Sequence, residues 1–389
     1  MRSLSISLLL ALASQASASP TPTTSGAIDS RQQPFVHPGL LHTSEDFDRI
    51  RGFVQTAKEP FVLDWVKLDS VADPDYVPDP HPTVWRERQT EGPTMFGTYS
   101  PTWAEPMFWL SAGSRCSTLK EIRGPSDRFL ASGLQGYQVA NAAEIHRECP
   151  AWKGFDATID MLVNIFDSMN HEFTTLHLNQ PDDHYWANWD LASLASMMVI
   201  GVVADRRDIW DEAIEYFKHG HGMGAIENAI WIFHTEIGTG KILGQGQEAG
   251  RDQGHVILDF ALTGVIGQQA CSQGVDLGGY LDNRNLAGAE YMAKYNLGHD
   301  VPFTTNINSV HGNYTVISAV ARGQGKPIGE LIYAHYASVK GLKAHWIGAY
   351  RDFVVEQGNG SEGGIGFYGS GSGRYDQVGF GTLLFRREE

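Results

Sequence analysis

Residues 244–255 read GQGQEAGRDQGH, and VILDFALTGVIG follows without a break. The first stretch sets Gln245, Gln247, Glu248, Arg251, Asp252, Gln253 and His255 around four glycines, with nothing apolar larger than Ala249. The second has the apolar density of a buried helix. Polar groups at the mouth of a core helix must find hydrogen-bond partners. The stretch is therefore expected to start a helix near Glu248 and to wall a pocket rather than meet bulk solvent.

Helical spacing dominates the rest of the chain. Apolar residues recur three and four apart over 43–58, 135–147, 155–169, 186–203, 207–218, 223–234, 253–267, 285–296, 313–322 and 328–345, which predicts helices there. Thr43 or Ser44 caps the first of them. Short links with Gly or Pro and no run of strands predict an all-α fold of antiparallel helix pairs. Residues 70–115, rich in Pro and aromatics, read as long ordered loops. Residues 358–389 are Gly-rich and read as a small flap that ends in a strand-like segment.

The opening MRSLSISLLLALASQASASP has a basic Arg2, a short apolar run and an Ala16-Ser17-Ala18 site, the pattern of a signal peptide. Residues 1–18 are expected to be removed and 19–35 to form a mobile leader. Residues 36–389 then form a single domain of a secreted protein. The formal net charge is −16 with no basic tract, which argues against nucleic acid and anionic membranes as partners. Three cysteines permit at most one internal bridge; Cys116–Cys149 is expected, with Cys271 left free. Ten Trp and 14 Tyr suit a large core and also a carbohydrate cleft, where ring faces stack on sugar C–H surfaces.

Four groupings can carry chemistry. In HYWANWD (184–190), His184 and Asn188 stand four apart on one face of a helix start, flanked by Trp186 and Trp189. In the polar stretch, Arg251 and His255 are also four apart, and Asp252 can orient a partner. In LDNRNLAGAEYMAKYNLG (281–298), Tyr291 and Tyr295 share a face, with Arg284 two turns before Tyr291 to lower a phenol pKa. His311, in INSVHGN, is a further polar group for a cleft. Arg, His, Asn and Tyr converging among aromatics fit β-elimination on a uronic-acid polymer. Amide and guanidinium donors quench the sugar carboxylate, a base removes the C5 hydrogen, and a phenol protonates the leaving O4 oxygen. No P-loop, G-x-G-x-x-G after a strand, or G-x-S-x-G occurs, and no cofactor or metal-ligand spacing demands a place.

The segments HPGLLHTSEDFDRIR, GQGQEAGRDQGH, AEYMAKYNLGHDVPF, RGQGKPIGELIYAHY and SGRYDQVGFGTLLF together resemble the alginate lyase family of polysaccharide lyases. The resemblance implies an α/α toroid, or incomplete barrel, and cleavage of a β-1,4-linked uronan such as alginate or glucuronan to 4,5-unsaturated products. Some members hold a metal, so a bound divalent cation stays open. On this basis Arg251 and Asn188 are expected to neutralise the carboxylate. His255 is the expected base with His184 as competitor, and Tyr291 the expected acid with Tyr295 next. Gln247, Glu248, Trp189, Arg284 and His311 are expected to shape binding of the acidic polysaccharide by a monomer. The alternatives are an inverting hydrolase using Glu248 or Asp252 with Asp190, and a non-catalytic uronan-binding protein.

Overall fold

The computed structural model describes residues 33–71, 83–85, 119–150, 152–364, 376–377 and 379–388. The proposed signal peptide, most of the 70–115 loops, Cys116 and the centre of the glycine-rich flap lie outside them. Cys149 and Cys271 both carry free thiols among the described residues. No helix there is long and apolar enough to cross a membrane.

Helix α1 (Ser44–Gln55) starts where its local sequence demands. The Thr43 hydroxyl accepts from Asp46 N, and the Asp46 carboxylate accepts from Thr43 N, a reciprocal cap that satisfies two free donors. After α2 (Phe61–Val71), strand β1 (Thr83–Trp85) pairs in parallel with β2 (Glu121–Arg123). Helix α3 (Asp127–His146) follows, then α4 (Phe155–Met161), which runs through a wider π turn (Leu162–Asp167) into α5 (Ser168–Leu176).

Helix α6 (Ala187–Val203) is the centre of the fold, with every residue buried. Its sequence ANWDLASLASMMVIGVV is apolar on all sides, which only full enclosure stabilises. Helices α3, α5, α7 (Arg207–His219) and α9 (Gln253–Ser272) pack around it. Between α7 and α9 lie the short α8 (Ile226–Ala229) and an antiparallel pair, β3 (Ile230–Thr235) with β4 (Ile242–Gly246). Helix α10 (Tyr280–Asn296) packs on α9 and β4. The hairpin β5–β6 (Asn306–Asn308, Gly312–Tyr314) precedes α11 (Gly329–Tyr333), α12 (His345–Gln357) and α13 (Gly381–Leu384).

The described residues are therefore mostly helical, with three two-stranded sheets. Four expectations need correction. The helix expected over 223–234 ends after one turn, and IWIFHT becomes β3. A short run rich in β-branched and aromatic residues suits either period, and pairing with β4 decides it. The helix expected over 313–322 is absent, because the backbone there is recruited by its neighbours: Ser318 N donates to Ala249 O, and Gln253 N donates to Val320 O. The single helix expected over 328–345 is interrupted at Gly341 (φ 67°), and α12 starts only at His345. The strand-like end of the flap is helix α13, whose Leu383 N donates to Asp64 of α2.

His146 closes α3 in a buried site, its Nε2 without a partner among the described residues. Burial pushes its pKa from 6.5 down to about 4. A depressed folded-state pKa means the unfolded chain takes up a proton that the folded chain refuses. Stability from His146 is thus complete above pH 6.5 and falls as the pH drops toward 4. Replacement by Phe, which keeps the edge contact with Trp152, should remove about 3 kcal/mol of this acid sensitivity. Urea unfolding across that window checks it; an unchanged slope contradicts the assignment.

Candidate functional site

The N-terminus of α6 is buried, and its N-cap residue, Trp186, offers no capping hydrogen bond. The first N–H groups of any helix lack partners within it. Here the polar stretch supplies them from outside. Gln247 Oε1 accepts from Ala187 N (3.3 Å), and Glu248 Oε1 accepts from both Asn188 N (3.2 Å) and Asn188 Nδ2 (2.6 Å). A carboxylate at this position also meets the positive end of the helix dipole.

Glu248 is fully buried, and its second oxygen accepts from Arg251 Nη1 at 2.6 Å. Asp259, buried close by on α9, has its carboxyl pushed well above the usual range by burial and by the charge of Glu248. Both Glu248 oxygens are satisfied, one by Asn188 and the other by Arg251. Replacing Glu248 with Ala would strip the α6 cap and leave Arg251 without its buried partner. That should cost about 3–5 kcal/mol in chemical denaturation; a loss below about 1 kcal/mol contradicts the capping role.

Arg251 carries the network outward. It precedes α9, which begins at Gln253 with Asp252 as its N-cap. Asp252 accepts from His255 N at 2.9 Å, and its other oxygen pairs with His255 Nδ1 at 2.6 Å. Burial opposes the Asp252 charge, but the hydrogen bonds from His255 and the nearby Arg251 outweigh it and hold its carboxyl below the usual range. With Nδ1–H donated to Asp252, His255 Nε2 keeps its lone pair, and Arg251 Nη2 lies 3.3 Å away. The His255 side chain is 40% exposed. The Arg251 guanidinium also sits 4.8 Å over the Trp186 ring.

Trp186 links this dyad to the β5–β6 hairpin. His311 stacks on Trp186 (5.0 Å between centroids, 15°), and Tyr314 meets it edge-on at 5.6 Å. His311 Nε2 donates to His184 O at 3.0 Å. Asp183 ties the hairpin down, accepting from Ser309 N at 2.5 Å, while Asn308 Nδ2 donates to the Asp183 carbonyl. Gly250 is required for this closure, since a Cβ there would stand 2.4 Å from Tyr314 Cβ. Burial and His311 together push the His184 pKa down.

His184, Trp186, Arg251, His255, His311 and Tyr314 are thus joined by direct contacts. The other candidates take different places. Asn188, Gln247 and Glu248 are buried and act on the cap. His184 precedes α6, so its helical register with Asn188 does not hold. Trp189 is buried against Phe173 and Tyr185. Arg284 donates to Ile230 O and Glu227 O and lies over Phe233, while Tyr291 donates to Pro302 O at 2.7 Å. Burial raises the Tyr291 pKa, the reverse of the shift expected from Arg284. Tyr295 is buried with Arg322 over its ring. Of the carboxyls named for a hydrolase, Asp190 and Glu248 are fully buried and internally paired.

Tyr314 went unrecognised in the sequence because its segment reads as a helix; the Gly312 turn is the signal that marks a hairpin there. A separate hollow of about 570 Å³, lined by Lys58, Phe61, Tyr333, Arg351, Arg386 and Arg387, lies elsewhere. Its cations are already paired with Glu388, Asp352, Glu330 and Asp46, which leaves it poorly suited to a sugar acid. Comparisons with family models, curated proteins and solved structures found no match to this chain.

Proposed function

We propose that this protein is a secreted polysaccharide lyase that cleaves a β-1,4-linked uronic-acid polymer by β-elimination on an α/α toroid scaffold. The observation that carries this reading is the contact between Arg251 and the oriented, half-exposed imidazole of His255. β-Elimination needs a donor for the sugar carboxylate beside a base for the neighbouring C5 hydrogen, and these two groups stand side by side.

In this mechanism Arg251 offers its remaining N–H groups to the carboxylate. Glu248 and Asp252 already offset much of its charge, so the gain comes from directional hydrogen bonds more than from net potential. As Arg251 Nη2 turns from His255 Nε2 to the incoming carboxylate, Nε2 takes the C5 proton, and Asp252 stabilises the imidazolium that results. The C5–H electron pair forms the C4–C5 double bond, and O4 leaves with a proton from a phenol. Tyr314 fills that last role better than Tyr291, because it borders Gly250 and Trp186 and is only partly buried. His311, exposed and backed by the buried Trp186, presents ring surface to the sugar. No step needs a cofactor.

The test is an absorbance screen of the purified protein on polymannuronate, polyguluronate, glucuronan and a neutral glucan. Ultraviolet-absorbing unsaturated ends are expected from at least one uronan and none from the glucan. His255→Ala and Tyr314→Phe should each lower that rate by at least ~100-fold, while Tyr291→Phe keeps it. New reducing ends without absorbance would make the protein a hydrolase. Polymer binding without any product would make it a binding protein.

A further inference from the structure

A second polar cluster lies on the opposite flank of the α6 N-terminus, in groups that the proposed elimination does not use. His177 follows α5, Asp182 lies in the link to α6, and His221 follows α7. One ligand atom from each lies within 4.8 Å of the others. We propose that His177, Asp182 and His221 bind a first-row divalent transition-metal ion, with zinc as the best-fitting species.

The geometry around His177 is that of a metal ligand with an oriented second nitrogen. His177 is buried, and its Nε2 donates to Asp190 Oδ1 on α6 at 2.7 Å. Asp190 is itself held by Gly224 N (2.9 Å) and by Tyr216 Oη (3.3 Å). A carboxylate that takes one imidazole N–H fixes the tautomer and leaves the other nitrogen's lone pair free for a metal. That other nitrogen, Nδ1, is buried with no hydrogen-bond partner among the described residues. An orphaned buried acceptor is costly, and a bound cation removes the cost.

The remaining two groups close the site from the solvent side. Asp182 and His221 have side chains 59% and 50% exposed, and His221 Nε2 is 3.8 Å from Asp182 Oδ1. Zinc would draw the three ligand atoms from within 4.8 Å of one another to the roughly 3.3 Å separation of a tetrahedral shell, and the two exposed side chains have solvent around them in which to turn. Gly222 lets the His221 loop approach, because a Cβ there would stand 2.6 Å from His177 Cε1 and 2.5 Å from Asp190 Oδ2. Two imidazoles and one carboxylate suit zinc and its neighbours and disfavour calcium and magnesium, which prefer oxygen-only shells. A metal here would clasp the 177–182 turn to the loop after α7. The same turn continues directly into Asp183 and His184 of the candidate active site, so the ion would brace that wall from behind.

The experiment uses the full chain stripped by chelator and titrated with zinc against a chromophoric competitor, with calcium and magnesium in parallel. One zinc per chain is expected, with no competition from calcium or magnesium. Zinc should also raise the melting temperature. His221→Ala and Asp182→Ala change exposed side chains and should each weaken zinc binding by at least ~10-fold while circular dichroism stays unchanged. His171→Ala, on the exposed face of α5, should leave binding as it was. The proposal falls if the wild-type chain takes up no zinc. It falls equally if both site variants bind zinc as tightly as the wild type, or if the His171 variant alone loses it.

Discussion

The structure depends on one constraint: the N-terminus of α6 is buried, and its unpaired N–H groups have to be satisfied by another part of the chain. Gln247 and Glu248 do this, and every feature of the candidate site follows from that placement. A carboxylate buried at a helix start needs a cation, and Arg251 supplies it. Arg251 is then held against Trp186, which ends the segment leading into α6. The cap and the site are therefore two ends of one hydrogen-bonded network. Its buried end contributes stability, and its other end, His255, reaches the surface.

This division explains why a polar stretch precedes a core helix. Asp252 makes two local contacts, since it caps α9 and orients the imidazole one turn on. Glu248 makes a long-range one, joining residues sixty positions apart in sequence. The hairpin β5–β6 adds a third segment, fastened by Asp183 on one side and admitted by Gly250 on the other. Three remote pieces of chain thereby share one surface. On the far side of α6, Asp190 organises His177 in a similar way, so a single buried helix anchors both polar clusters.

Much of this was legible in the residues themselves. The cap at Thr43 and the apolar run of α6 are local signals, and the structure keeps both, whereas the helix expected to start near Glu248 begins only at Gln253, with Asp252 as its cap. The pairing of Arg251 with His255 was visible as a four-residue spacing, although Arg251 stands outside the helix. Other features had no local signal. IWIFHT fits helix and strand periods alike until β4 lies beside it. Asn188 and Trp189 look like cleft residues in a list of polar and aromatic types, yet packing buries both. Tyr291 and Arg284 keep a two-turn interval, but their side chains engage different neighbours.

Capping and apolar periodicity act over a few residues, so the order of amino acids alone places most long helices and marks the stretch rich in hydrogen-bonding groups. Which of those groups become buried caps and which face outward is settled by how the helices pack. The tertiary structure brought Tyr314 and His311 to Trp186 and set His221 beside His177. The physical reason is that burial and hydrogen-bond satisfaction belong to contacts between distant segments. A polar side chain's role is set by what closes over it, and its own neighbours in the chain do not carry that information.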